Sequence, residues 1–86
     1  MAYNRVSVTT SPTLIVDANN KRRQIIVDNQ SSASVFLGPD ASITTSNTIS
    51  LRANSTLEFD DRWHRGAIYG VVATGTANVA YWETEG

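Results

Sequence analysis

Thr48-Ile49-Ser50-Leu51-Arg52 alternates polar and apolar side chains, and Ser55-Thr56-Leu57-Glu58-Phe59-Asp60 repeats the alternation after a break at Ala53-Asn54. Successive side chains of a strand point to opposite faces, so Ile49 and Leu51 share one face. Leu57 and Phe59 point inward by the same reasoning, and Glu58 points outward. Toward the N-terminus, Arg5-Val6-Ser7-Val8-Thr9 alternates in the same way. These are the marks of half-buried strands in antiparallel sheets.

Other segments are apolar on both faces: Leu14-Ile15-Val16, Ile25-Ile26-Val27, Val35-Phe36-Leu37, Ala67-Ile68-Tyr69-Gly70-Val71-Val72-Ala73 and Asn78-Val79-Ala80-Tyr81-Trp82-Glu83. Such strands are covered on one side by a second sheet and on the other by a neighbour, for which another subunit is a candidate. Turn residues separate all these runs: Ser11-Pro12, Asp17-Ala18-Asn19-Asn20, Asn29-Gln30-Ser31-Ser32, Gly38-Pro39-Asp40, Thr45-Ser46-Asn47, Ala53-Asn54 and Thr74-Gly75-Thr76. Gly38 followed by Pro39 ends a strand, because Gly tolerates positive φ and Pro has no amide donor. Thr74-Gly75-Thr76 is short enough to close a hairpin between the last two strands. No window carries an apolar stripe of helical period. The spacing predicts one all-β domain over 1–86, a small antiparallel β-sandwich (jelly-roll-like) or barrel of about seven to eight short strands.

The chain has 86 residues, no cysteine, one histidine (His64) and a formal net charge of −1. A chain this short buries only about 60% of the surface its unfolded form exposes. Disulfides and thiolate metal sites are excluded, so oligomerisation or docking on a partner is the support that remains. The charge gives no electrostatic case for nucleic acid. No apolar run approaches the roughly 20 residues of a membrane span. Met1-Ala2-Tyr3-Asn4-Arg5 lacks the apolar core of a signal peptide, so synthesis in a cytoplasm is expected.

The segment Asp60-Asp61-Arg62-Trp63-His64-Arg65-Gly66 is charged and aromatic and lies between two strands. Binding residues concentrate on loops held by a rigid scaffold, which makes this loop the leading interaction candidate. Metal binding needs three or more convergent ligands, and neighbouring strand residues diverge, so Asp60, Asp61 and His64 read as a solvated turn with local ion pairs. His64 as a general base would need a nucleophile and an orienting partner, and no reaction-specific constellation accompanies it; no enzyme activity and no cofactor are expected. Lys21-Arg22-Arg23 reads as a hairpin tip or strand edge that uses charge against edge-to-edge pairing. On an assembly, this run is placed to meet acidic residues such as Glu83 and Glu85 of a neighbour. Trp82 alternates with Ala80 and is assigned to sheet packing. Trp63, between Arg62 and His64, is set either at an interface or as a cap on the sandwich end.

Read in order, Arg23-Gln24-Ile25-Ile26-Val27-Asp28-Asn29, Ser34-Val35-Phe36-Leu37-Gly38, Ile49-Ser50-Leu51-Arg52-Ala53-Asn54-Ser55, Gly66-Ala67-Ile68-Tyr69-Gly70-Val71-Val72-Ala73 and Thr74-Gly75-Thr76-Ala77-Asn78-Val79 resemble small structural proteins of tailed bacteriophages. The shared features are a strand ending in Asn, a "V-(Y/F)-L-G" strand, an "L-x-A" turn, a "G-x-(I/L)-Y" strand and a "G-T-A-x-V" hairpin. The resemblance spans roughly residues 23–83 and carries no catalytic signature. It implies a virion component, with a capsid decoration (cement) protein favoured. Such a protein sits on the capsid surface as a small oligomer, a homotrimer, with the major capsid protein as partner. Tyr3, Arg5 and the loop residues Asp60, Asp61, Arg62, Trp63, His64 and Arg65 are the expected contacts, and the N-terminal strand is free to add to a neighbour's sheet. The alternative is a receptor- or carbohydrate-binding module of a tail or head fibre, with Trp63 and Tyr69 as its aromatics.

Overall fold

A computed structural model of the chain describes residues 2–46, 48–60 and 66–85. These residues form eight strands and no helix: β1 (Ala2–Val8), β2 (Thr13–Val16), β3 (Arg22–Asn29), β4 (Val35–Gly38), β5 (Ile49–Leu51), β6 (Thr56–Asp60), β7 (Ile68–Val71) and β8 (Ala77–Glu85). All pairings are antiparallel, in two four-stranded sheets of order β1-β8-β3-β6 and β2-β7-β4-β5. The pairs β1–β8, β2–β7, β3–β6 and β4–β5 are those of one long hairpin closing at the β4–β5 connection. Rolling that hairpin adds β3–β8 and β4–β7 and gives the jelly-roll sandwich.

The core follows the strand period. On β3, Ile25 and Val27 are fully buried, and Ile26 between them is half-buried. On β8, Ala77, Val79 and Glu83 are buried, while Asn78 and Trp82 are exposed. Val8 of β1 completes this layer. The second sheet answers with Ile15 and Val16, Val35 and Leu37, Leu51 and Ile68. A register shift between Leu14 and Val16 lets two successive β2 residues, Ile15 and Val16, both turn inward.

The basic run Lys21-Arg22-Arg23 is not a uniformly solvated edge. Lys21 and Arg23 are exposed, but Arg22 is fully buried. Its Nε donates to Glu83 Oε2 at 2.8 Å, its Nη2 to the Asp17 carbonyl at 2.6 Å, and its Nη1 to the Gly66 carbonyl at 3.1 Å. The acidic partner expected on a neighbour is therefore on the same chain. A register shift between Arg22 and Gln24 swings the guanidinium inward. At the other end of β3, buried Asn29 donates from Nδ2 to the carbonyls of Ala33, Leu51 and Arg52 at 2.8–3.0 Å. Its Oδ1 accepts from the Ser31 amide and hydroxyl. Each end of β3 thus ties loops of both sheets together, and no buried side-chain polar atom among the described residues is left unpaired.

One other expectation is revised. Thr74-Gly75-Thr76 does not close a hairpin: β7 and β8 belong to different sheets, and the turn carries the chain across the sandwich with Gly75 at φ +69°. Closing a hairpin there would take β8 from its place between β1 and β3. Within the chain, the N-terminal strand pairs with β8 over all seven of its residues and forms one edge of its sheet.

Gly38 ends β4 because the β4–β5 connection returns over it. A β-carbon there would overlap the Cγ2 of Ile43, which is itself buried. We expect Gly38→Ala to cost about 1–3 kcal/mol by overpacking, and less on an Ile43→Ala background, as read by urea unfolding. Arg22→Lys should lose most of what Arg22→Ala loses, about 3–5 kcal/mol, because a point ammonium cannot serve three diverging acceptors. Equal stability of Arg22→Lys and wild type in the same assay would contradict this account of the cluster.

Candidate interaction face

The outer face of the β1-β8-β3-β6 sheet is fixed by the inward face of β8. Since Val79 and Glu83 point in, Ala80 and Trp82 point out, and residues directly opposite them share that face. Tyr3 lies opposite Trp82, Trp82 opposite Ile26, and Ile26 opposite Glu58. An apolar row thus crosses three strands and ends at a carboxylate. The adjacent row runs Arg5, Ala80, Asp28, Thr56. Tyr3 is 79% exposed and Trp82 51%, and with half-buried Ile26 they make an apolar stripe on a face that a water-soluble sandwich would cover with polar groups.

The stripe is held rigidly, since Trp82 sits on a strand paired on both sides. At the β1–β8 edge, a shallow open cavity of about 350 Å³ is lined by residues of both faces: Tyr3, Arg5 and Ala80 of the outer set and Asn4 and Tyr81 of the inner set. Charge is graded across the face. Arg5 stands on the β1 side, while Asp28 and Glu58 stand on the β3 and β6 side. Asp28 accepts from Thr56 Oγ1 at 3.0 Å and from Gln30 Nε2 at 3.2 Å, and Glu58 accepts from Gln24 Nε2. These cross-strand and local bonds hold the acidic side in place.

Of the residues singled out from sequence, Tyr3 and Arg5 fall on this face. Asp60 ends β6, opposite Gln24. Asp61, Arg62, Trp63, His64 and Arg65 lie outside the described residues. Tyr69, the other aromatic of the alternative reading, is on the second sheet, opposite Leu14 and Gly38. Trp82, Ile26, Asp28 and Glu58 were not singled out as contact residues. Trp82, assigned to sheet packing, instead faces outward. The strand period gave the signal, since Val79, Tyr81 and Glu83 alternate with Ala80 and Trp82. Both sets contain large apolar groups, so the period alone does not say which set faces in.

A second cavity, of about 540 Å³, opens at the Arg22 end between the Asp17–Lys21 loop and Tyr81 and Glu83. The Glu83 carboxylate on its wall is engaged by Arg22. In the β4–β5 connection, Asp40 is held below the ordinary carboxylate range by the Ser42 hydroxyl and then the Ser42 amide. Among the described residues, no three His, Cys, Asp or Glu side chains gather to hold a metal ion. Among the described residues, no helix is long and apolar enough to cross a membrane.

No family model, curated protein or solved structure matches the chain.

The face is expected to be separable from the core. Trp82→Ala should change unfolding free energy by less than about 1 kcal/mol. Val79→Ala, on the same strand but fully buried, should cost about 2 kcal/mol or more in the same denaturation series. A larger loss for Trp82→Ala than for Val79→Ala would mean that Trp82 belongs to the fold and not to a surface.

Proposed function

We propose that this chain is a structural, non-catalytic component of a tailed-bacteriophage particle, a decoration protein that binds the head shell as a small homo-oligomer. The observation that carries this reading is the Tyr3–Trp82–Ile26 row, an exposed apolar stripe on a rigid sheet bordered by opposite charges. The resemblance of residues 23–83 to phage structural proteins supplies the particle, and the jelly-roll sandwich accords with it.

The mechanism is adhesion. Docking the face on the major capsid protein removes Trp82 and Tyr3 from water, at roughly 25 cal/mol for each Å² of apolar surface covered. Trp, Tyr and Arg are the residue types on which binding energy concentrates, and all three stand together here. Arg5 on one side and Asp28 and Glu58 on the other orient the contact by charge. An oligomer that engages several shell subunits gains avidity without any single strong contact. In this reading the protein is made in the host cytoplasm and resides on the capsid surface.

A second reading is supported by the same aromatic pair. Trp82 and Tyr3, side by side in direct register on an open face with Thr84 and Gln24 in the next row, suit stacking of a sugar ring with polar groups at its rim. The chain would then be a receptor- or carbohydrate-binding module of a tail or fibre.

Immunogold labelling of purified particles separates the two. Label distributed regularly over the head is expected, and Trp82→Ala should lower occupancy at least about tenfold, a loss of 1.4 kcal/mol or more. Label confined to the tail tip would favour the sugar-binding module, and unlabelled particles would remove the phage assignment.

A further inference from the structure

The four edge strands of the two sheets are not alike. β2 has four residues and a register shift, and β5 has three residues. β6 has five residues with Glu58 within them and Asp60 at the end. Short length, irregularity and charge are the ordinary means of keeping an edge from pairing with another chain. β1 has none of them in full. Its seven residues, Ala-Tyr-Asn-Arg-Val-Ser-Val, pair with β8 in unbroken register and contain no proline and one charge. Among the described residues, nothing pairs with its other side.

That open side carries backbone groups in position to bond. The Arg5 amide donates to the Oδ1 of its neighbour Asn4 at 2.8 Å, so a side chain occupies a place that a strand carbonyl would take. By alternation, the amides of Tyr3, Arg5 and Ser7 face the open side, and those of Asn4 and Val6 face β8.

We propose that β1 pairs antiparallel with β1 of a second copy about a twofold axis at Asn4, joining two chains into one eight-stranded sheet. The axis position follows from the residues. An axis at Arg5 would set two guanidinium groups directly opposite each other, which is unfavourable. Beyond Val8 the chain leaves for the second sheet, its Thr9 carbonyl taken by the Val72 amide at 3.0 Å, so the accessible part of the edge is its N-terminal part. With the axis at Asn4, Ala2 to Val6 of each chain are paired, and Tyr3 of one copy lies beside Arg5 of the other, a cation against an aromatic face. A twofold contact uses the same patch on both copies and closes at two, in place of the trimer that the phage resemblance implies. The two outer faces become continuous, each Ile26–Trp82–Tyr3 row running on to the partner's Arg5. This inference goes beyond the proposed function and does not rest on it.

The test is the mass of the 86-residue chain in solution by light scattering, with variants at Asn4. Wild type should run at twice the 9.4 kDa of one chain. Asn4→Asp sets two carboxylates face to face on the axis while keeping an oxygen for the Arg5 amide, and should weaken association at least about tenfold with an unchanged circular dichroism spectrum. The chain has no cysteine, so a single introduced thiol reports the register cleanly. Asn4→Cys sits in a non-hydrogen-bonded pair, where Cα atoms are about 4.5 Å apart, and should form an interchain disulfide on mild oxidation. Ser7→Cys, displaced from the axis, should not. A monomer at NMR concentrations, a trimer, or a dimer in which Ser7→Cys crosslinks and Asn4→Cys does not would each overturn the proposal. None of these outcomes bears on the particle labelling, so this inference and the phage assignment fail separately.

Discussion

The ion pair between Arg22 and Glu83 is the constraint around which the sandwich is arranged. Arg22 is fully buried and Glu83 nearly so, and the guanidinium serves the Asp17 and Gly66 carbonyls as well. A buried pair of this kind adds little net stability over a well-packed apolar substitute. Its larger effect is on alternatives. A one-residue slip of β8 against β3 would turn Glu83 outward, strand the guanidinium, and exchange Val79 and Tyr81 for Ala80 and Trp82 in the core. The cost of leaving one charge buried and unpaired penalises that slip more sharply than apolar packing alone, since Trp82 and Ala80 are themselves apolar. Asn29 acts similarly at the far end of β3, where carbonyls of β5 and of two loops depend on one amide. β3 is thereby pinned at both ends, and its neighbour β8 inherits a single register.

This explains which parts of the fold were legible in the sequence. The all-β class, the number of strands and nearly every break follow from short-range chemistry: Thr and Val in alternation, and Pro, Gly and Asn at the turns. Gly38-Pro39 ends β4, and Ala53-Asn54 turns the chain into β6, with Asn54 at φ 56° in the left-handed region that Asn tolerates. Strand partners are not encoded at that range. Thr74-Gly75-Thr76 has the length of a hairpin and serves as a crossing between sheets, because β8 is claimed by β1 on one side and β3 on the other. Arg22 was likewise illegible. Nothing within its own run distinguishes it from Lys21 and Arg23, and its burial depends on Glu83 arriving from 61 residues away.

The candidate face was legible in the same partial way. Tyr3 and Arg5 stand in a simple alternating strand, so their outward direction is evident once Val6 and Val8 are set inward. Trp82 is in a strand with large groups on both sides, and only the location of Glu83 decides between them. The ion pair that fixes the register therefore also selects Trp82 for the surface. Core and face are two readings of one strand.

The proposed edge contact and the proposed docking face meet at Tyr3 and Arg5, and their geometry is compatible. A partner strand added beside β1 approaches in the plane of the sheet and leaves the outer side chains uncovered, whereas a docked surface approaches along the sheet normal. Tyr3 can therefore border one contact and carry the other. Pairing two copies through β1 doubles the face and fixes its two apolar rows one strand step apart across the sheet, about 4.8 Å, and two residues apart along it, about 7 Å, with no flexible linker between them. A bivalent binder of that stiffness loses little entropy when its second row engages, which is the condition under which avidity exceeds single-site affinity most. The small core of an 86-residue chain is helped by the same contact, because pairing satisfies the long β1 edge, which no other described residue covers.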